Sequence, residues 1–347
     1  DAMDVHGGKG ILLGPSNYLA RGYQGVPISI TVEGANILTR SMIVFGQGAM
    51  RCHPYLLKEV AAATDPDREA GQRAFDKTLF EHIGYVYANG ARSLLYGLSG
   101  ARLAPSPVDG VTTDYFRQLS RLSAAFAVIA DVALLLLGGA LKRREKLSGR
   151  FADALSNLYL CSAVLKRFHD DGQPEADLPL MHWSCQHCLY EIEQALDGIL
   201  RHFPVRFVAW KLRVLAFPLG RRLHRPDDAL GHRVAALLLE PSEARDRLTA
   251  GLFVTDDPAD VTGRLEHALR LAIAAEPIEA KLRKAGESQP PMIGLDAWLE
   301  DLLSRGVIGD READILSQST AATRAVIMVD DFPGRKTRAR RASGRAA

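Results

Sequence analysis

The sequence predicts an all-α protein. Apolar residues recur at helical spacing over long stretches, while period-2 alternation of β-branched residues is nearly absent. Short clusters rich in Pro, Gly and Asp interrupt the helical pattern and read as joints: "TDPDR" (64–68), "APSPVDG" (104–110), "DDGQP" (170–174) and "ESQPP" (287–291). No internal repeat of fixed period is present.

Taken in order, residues 5–27 are rich in Gly and Pro and read as loop with short ordered pieces. "PISITV" (27–32) is the best strand candidate, though short. A helix is expected from the Glu33-Gly34 step onward, through "ANILTR". "TTDYFRQLSRLSAAF" (112–126) places Phe116, Leu119 and Leu122 on one side of a helix, with Arg117 and Arg121 elsewhere. "AAFAVIADVALLLLGGAL" (124–141) is the longest apolar run, broken by Asp131 and followed by "KRREK". A membrane-spanning helix needs about 20 apolar residues with few charges, and Asp131 would be costly at the bilayer centre. A helix buried in an α-helical core is the better reading, with the cations of 142–146 suiting its C-terminal end. "FADALSNLYLCSAVLKRF" (151–168) carries Phe151, Leu155, Leu158 and Leu165 along one face. "SEARDRLTAGLF" (242–253) follows Pro241 with Ser242 as its N-cap. "GRKTRARRASGRAA" (334–347) is basic, lacks apolar anchors and reads as a disordered, solvated tail.

The 347 residues, 47% hydrophobic and 24% charged, suffice for two packed domains. A formal net charge of +2 is too balanced to argue for a nucleic-acid partner. Four cysteines in a chain this long fit a reducing compartment. No charged segment followed by an apolar stretch marks a signal peptide near the start, and the chain, opening Asp1-Ala2, reads as a fragment whose beginning is missing.

Glu33 is the first site candidate, an acid in the otherwise uncharged run "ISITVEGAN". The plain reading is a carboxylate near a helix N-terminus, favoured by the dipole. The functional reading is a general base among apolar neighbours, whose desolvation raises its pKa toward the working range. Gly34, without a side chain, lets a substrate approach the backbone closely. "HWSCQHC" (182–188) invites a zinc reading, but no second pair of ligands at matching spacing accompanies Cys185 and Cys188, so packing as small hydrophobes is preferred and no metal is assigned. Cys52-His53 fits a nucleophile pair poorly, since adjacent helix positions do not face each other. His6, Lys9 and Arg40 lie near the presumed site: Lys9 reads as surface charge, and Arg40 as either surface charge or a phosphate contact.

"HGGKGI" (6–11), then "EGANILTR" (33–40), then "GQGAMRCHP" (46–54) and the long helical remainder together resemble the acyl-CoA dehydrogenase superfamily, in the branch of large bacterial fatty-acid enzymes with a C-terminal helical extension. "LKRREKLSGRFADALSNLYLCSAVLKRF" and "EADLPLMHW" are similar to that extension. The resemblance implies that residues 1–48 are the end of the C-terminal helical domain with the catalytic Glu, 49–333 the helical extension, and 334–347 the tail. It implies FAD as cofactor, a fatty acyl-CoA as substrate and a trans-2-enoyl-CoA as product. Glu33 would be the base, with its backbone N–H stabilising the enolate-like oxygen; Gly34 would face substrate. Gly7 and Gly8 match a turn near the FAD pyrophosphate of a partner subunit, and Ala35 and Asn36 take the flavin-facing positions. Where the family usually has Thr this chain has Ala35, so that contact is lost or replaced through Asn36; Asp4 stands where a Gln often precedes the glycine pair. Electron-transfer flavoprotein as acceptor, a homo-oligomer, and a cytoplasmic location with peripheral inner-membrane contact are further implications. The alternatives are an interaction, dimerisation or membrane-docking role for the extension, and an acyl-CoA-binding homologue that does not oxidise its ligand.

Overall fold

The computed structural model describes residues 1–32 and 36–330, and among these no strand occurs. The short helices α1 (Ala2–His6), α2 (Ala20–Gly25), α3 (Ile28–Val32) and α4 (Asn36–Leu38) lead into a π-helical segment, Thr39–Gln47. Then come α5 (Gly48–Cys52), α6 (Leu56–Ala63), α7 (Arg68–Leu98), α8 (Thr113–Leu137), α9 (Glu145–Asp170), α10 (Leu178–His202), α11 (Arg206–Ala216), α12 (Asp228–Leu239) and α13 (Glu243–Thr249). The last three are α14 (Val261–Lys284), α15 (Leu295–Ser304) and α16 (Asp310–Ile327).

All four expected joints fall between helices. Asp67 ends the first, its Oδ1 accepting from the N–H groups of Glu69 and Ala70, and so starts α7. Ser242 caps α13 through the N–H of Arg245. The expected strand at 27–32 is helical instead: Ile28–Val32 forms α3. A lone alternating segment with no partner strand cannot satisfy its backbone groups in a ladder, whereas a helical turn satisfies them locally.

The chain divides into two compact units, residues 29–248 and residues 1–28 with 249–347. In the larger unit α9 and α10 pack side by side, with α8 against both and α7 against α8. Its core holds Leu122, Ile129, Phe151, Leu165, Ile192 and Leu196, all fully buried. Phe45 of the π-helical segment stacks on Phe151 with ring centroids 4.4 Å apart, so this segment belongs to the same core. The expected apolar face of 151–168 is observed, with Phe151, Leu158 and Leu165 buried and Leu155 half-buried.

By length and composition one helical stretch, Thr113–Arg143, could cross a membrane, at a mean hydropathy of 2.3. Two of its charges instead find partners inside the protein. Arg121, expected away from the apolar face, is buried, 3.5 Å from the fully buried Glu193 of α10. Glu193 in turn accepts from the backbone N–H groups of Arg222 and Leu223. Asp131 is paired as described below. A helix carrying two paired, buried charges is built to pack against other helices.

In the smaller unit α14, α15 and α16 pack around Ile278, Leu282, Leu302 and Leu316. Lys281 bridges α14 to Glu312 of α16, and Glu312 also accepts from the N–H of Gly309 at the α16 start. The N-terminal segment joins this unit through Lys9, whose Nζ donates to the Val326 carbonyl at 2.5 Å.

Candidate functional site

Glu33, Gly34 and Ala35 lie outside the described residues, as does the basic tail. Asn36 opens α4. Gly7 ends α1 with φ +64°, a conformation that favours glycine, and no atom lies within 4 Å of where its Cβ would be. The turn therefore leaves its backbone open to close approach. A Cβ on Gly8 would meet only Val329, at 3.9 Å. Gly7 and Gly8 belong to the smaller unit and Asn36 to the larger.

Lys9 and Arg40 each have a partner within their own unit. Lys9, expected on the surface, is buried by its bond to Val326, because the ammonium reaches back to the carbonyls at the end of α16. Arg40 forms a two-pronged pair with Asp153 of α9, its Nε 2.5 Å from Oδ1 and its Nη2 on Oδ2. That bond raises the Arg40 pKa, and the guanidinium lies over Gly149, where a Cβ would meet Nη1 at 3.0 Å. Arg40 thus ties the π-helical segment to α9. His6 packs edge-on against Tyr18.

Cys185 and Cys188 are buried and unbridged, with Cys161 nearby on α9. Contact with Cys185 and burial push the Cys161 thiol far up, and burial pushes Cys188 up to about 11, so both stay protonated and are poor nucleophiles. The neighbouring imidazoles are turned elsewhere. His182 Nδ1 lies 2.7 Å from the Tyr115 hydroxyl, and His187 stacks on Trp183.

Sequence reasoning missed a part-buried polar cluster built on the apolar helix itself. His53 Nε2 lies 2.7 Å from Asp131 Oδ1. His53 Nδ1 accepts from the N–H groups of Tyr55 and Leu56, each at 3.2 Å, and so caps the start of α6. An imidazole nitrogen that accepts carries no proton, so the Nε2 nitrogen holds it and donates to Asp131. His53 has no lone pair left for general-base work, and Cys52 is exposed, which leaves no nucleophile pair there. On α7, His82 donates from Nδ1 to Glu59 Oε1 at 2.7 Å, and its Nε2 stands 3.6 Å from Asp131 Oδ1, beyond hydrogen-bonding reach. His82 Nε2 and Asp131 Oδ2 are both buried without a hydrogen-bond partner. The sequence signals for this cluster were the single acid in the run 124–141 and His53, which was weighed only together with Cys52.

Two members of the cluster, His53 and Asp131, line a cavity of about 600 Å³ in the larger unit. Its polar lining comes from His53, Asp131, Tyr85, Tyr159 and three serines, and Phe45, Phe126, Leu134 and Leu155 are among the apolar walls. Burial raises the Tyr85 pKa, so its hydroxyl stays neutral.

A family model described as acyl-CoA dehydrogenase, C-terminal, bacterial type, matches residues 50–332. No solved structure matches the chain. The chain belongs to the bacterial-type acyl-CoA dehydrogenase C-terminal family.

Proposed function

We propose, from that family membership, that the chain is the part of a fatty acyl-CoA dehydrogenase that carries the catalytic base, Glu33. The observation that supports this reading is continuity. The match beginning at residue 50 follows directly on "EGANILTRSMIVFGQGA", so the extension is joined to an acid-glycine step at the position the resemblance assigns to the base.

Glu33 takes the α-proton of an acyl-CoA thioester. That proton is weakly acidic, so the negative charge growing on the thioester oxygen needs a donor, and the backbone N–H of Glu33 serves. Gly34 keeps the approach to that N–H clear. The chemistry supplied by FAD, when bound, is acceptance of the β-hydrogen as hydride, which leaves a trans-2-enoyl-CoA. Of the residues assigned to the flavin, Gly7 fits: its left-handed backbone and open Cβ direction suit close approach of a phosphate. Asn36 supplies what the missing Thr hydroxyl would. Electron-transfer flavoprotein is the proposed acceptor, in a cytoplasmic homo-oligomer.

The test is anaerobic addition of palmitoyl-CoA to the purified full-length protein while flavin absorbance is followed. Bleaching in the wild type that is lost in Glu33→Gln is expected. Wild-type turnover by Glu33→Gln would overturn the role of Glu33. Bound flavin that no acyl-CoA bleaches would favour a non-catalytic acyl-CoA-binding homologue, and a protein without flavin would overturn the reading altogether.

A further inference from the structure

We propose that the cavity between the π-helical segment, α8 and α9 binds an aliphatic molecule whose polar end is a hydrogen-bond donor, a hydroxyl or an ammonium, held by Asp131. The cavity of about 600 Å³ is in the range of roughly 300–1,000 Å³ usual for small-molecule sites. Its walls are mostly apolar, from Phe45, Phe116, Phe126, Leu134 and Leu155, so the body of the ligand is hydrocarbon. These residues all lie within the larger unit.

Asp131, the acid in the lining, selects the head group. Asp131 is 6% exposed and lines the cavity, yet its Oδ2 has no partner in the protein. A buried carboxylate oxygen left unpaired is costly, and a donor from a ligand relieves that cost. Asp131 receives one proton-bearing nitrogen, His53 Nε2, on its other oxygen only. The unpaired lone pairs of Oδ2 therefore favour an O–H or N–H and disfavour a second carboxylate. Tyr85, kept neutral, can accept or donate beside them.

A cation is the competing occupant. Nitrogen and oxygen atoms of His53, His82 and Asp131 lie within 4.8 Å of one another, a spacing that could hold a metal. The hydrogen bonds speak against it. His53 Nε2 carries the proton it gives to Asp131, because Nδ1 is taken by two backbone donors, so one of the three ligands has no lone pair to offer. That leaves one imidazole and one carboxylate, fewer ligands than a tight divalent site needs.

The experiment is isothermal titration of the full chain with 1-octanol, octylamine and octanoate. Octanol and octylammonium are expected to bind saturably at one site, and octanoate at least tenfold more weakly. Ala127→Phe, which fills the cavity wall on α8, should abolish binding of the first two in a protein whose circular dichroism is unchanged. Asp131→Asn, which removes the charge and keeps the shape, should bring octylammonium down to the affinity of octanol or below. Three outcomes would overturn the proposal: no saturable binding of octanol or octylamine, octanoate binding equal to theirs, or binding unaffected by Ala127→Phe. Tight Zn²⁺ binding to chelator-treated protein that is lost in His82→Ala, with no response to octanol, would overturn it in favour of a cation site.

Discussion

Asp131 Oδ1 accepts the Nε2–H of His53 at 2.7 Å, and this bond joins the middle of α8 to the turn that opens α6 across 78 residues of sequence. The same imidazole holds the first N–H groups of α6 through Nδ1. Removing the acceptor leaves a buried N–H without a partner. Asp131→Ala is therefore expected to lower stability by about 1–3 kcal/mol, the cost of an unmade buried hydrogen bond. Asp131→Asn should cost less, because its amide oxygen still accepts. Urea unfolding followed by circular dichroism separates the two; equal losses would show that charge, not the hydrogen bond, matters at this position.

The corner between α6 and α7 depends on close backbone approach at Gly71. A Cβ there would meet the Ala62 carbonyl oxygen at 2.6 Å and the Asp65 Cβ at 2.9 Å. Neither is the end of a flexible side chain, so α6 has to move. Gly71→Ala, which on an exposed helix would stabilise, should here destabilise by about 1–3 kcal/mol through overpacking. Thermal unfolding of this variant against Gly84→Ala, a helical glycine of α7 with nothing within 4 Å, is the direct comparison, and the two changes should differ in sign.

The helices were legible in the sequence because their signals are local. The Ser242 cap, the "DDGQP" joint and the face of Phe151, Leu158 and Leu165 each need only a few neighbouring residues to be read. The error at 27–32 has the same origin: alternation of Ile28, Ile30 and Val32 is a strand signal only if a partner strand exists, and none does among the described residues. The acid-glycine step at Glu33 could be read as a motif. The cluster of His53, Glu59, His82 and Asp131 could not, since its members come from three helices and a turn and no spacing links them. The pairing of Arg121 was hidden for a related reason. A charge next to an apolar face reads as solvated until Glu193, on another helix, is seen to pair with it.

The thiols divide sharply by environment. Cys52 is exposed, while Cys161, Cys185 and Cys188 are buried. A thiol-disulfide reagent should titrate one cysteine rapidly in the native protein and four in denaturant. Cys52→Ser should abolish the fast phase. Burial also raises Cys188 from 9.0 to about 11, so the folded state holds this proton more tightly than the unfolded chain. Its contribution to stability is present in full below pH 9 and is lost as the pH rises from about 9 to 11. Urea midpoints across that window should fall in the wild type more steeply than in Cys188→Ala.

Arg121 and Glu193 test what buried charge does in this fold. Glu193 is fully buried and accepts two backbone N–H groups besides facing Arg121 at 3.5 Å. Desolvation lowers the Arg121 pKa, with Glu193 opposing that shift, so the guanidinium depends on its partner to stay charged at low cost. Glu193→Ala strands the cation and the N–H groups of Arg222 and Leu223 together. A loss of about 3–5 kcal/mol is expected, as for other buried pairs broken on one side. Arg121→Met alone leaves a carboxylate that still has two donors, so it should cost clearly less. If the pair held the helices together chiefly by charge attraction, the two single changes would cost the same. Unequal losses, measured as urea midpoints on both variants and on the double variant, would instead place the weight on the carboxylate and the backbone turn it secures after α11.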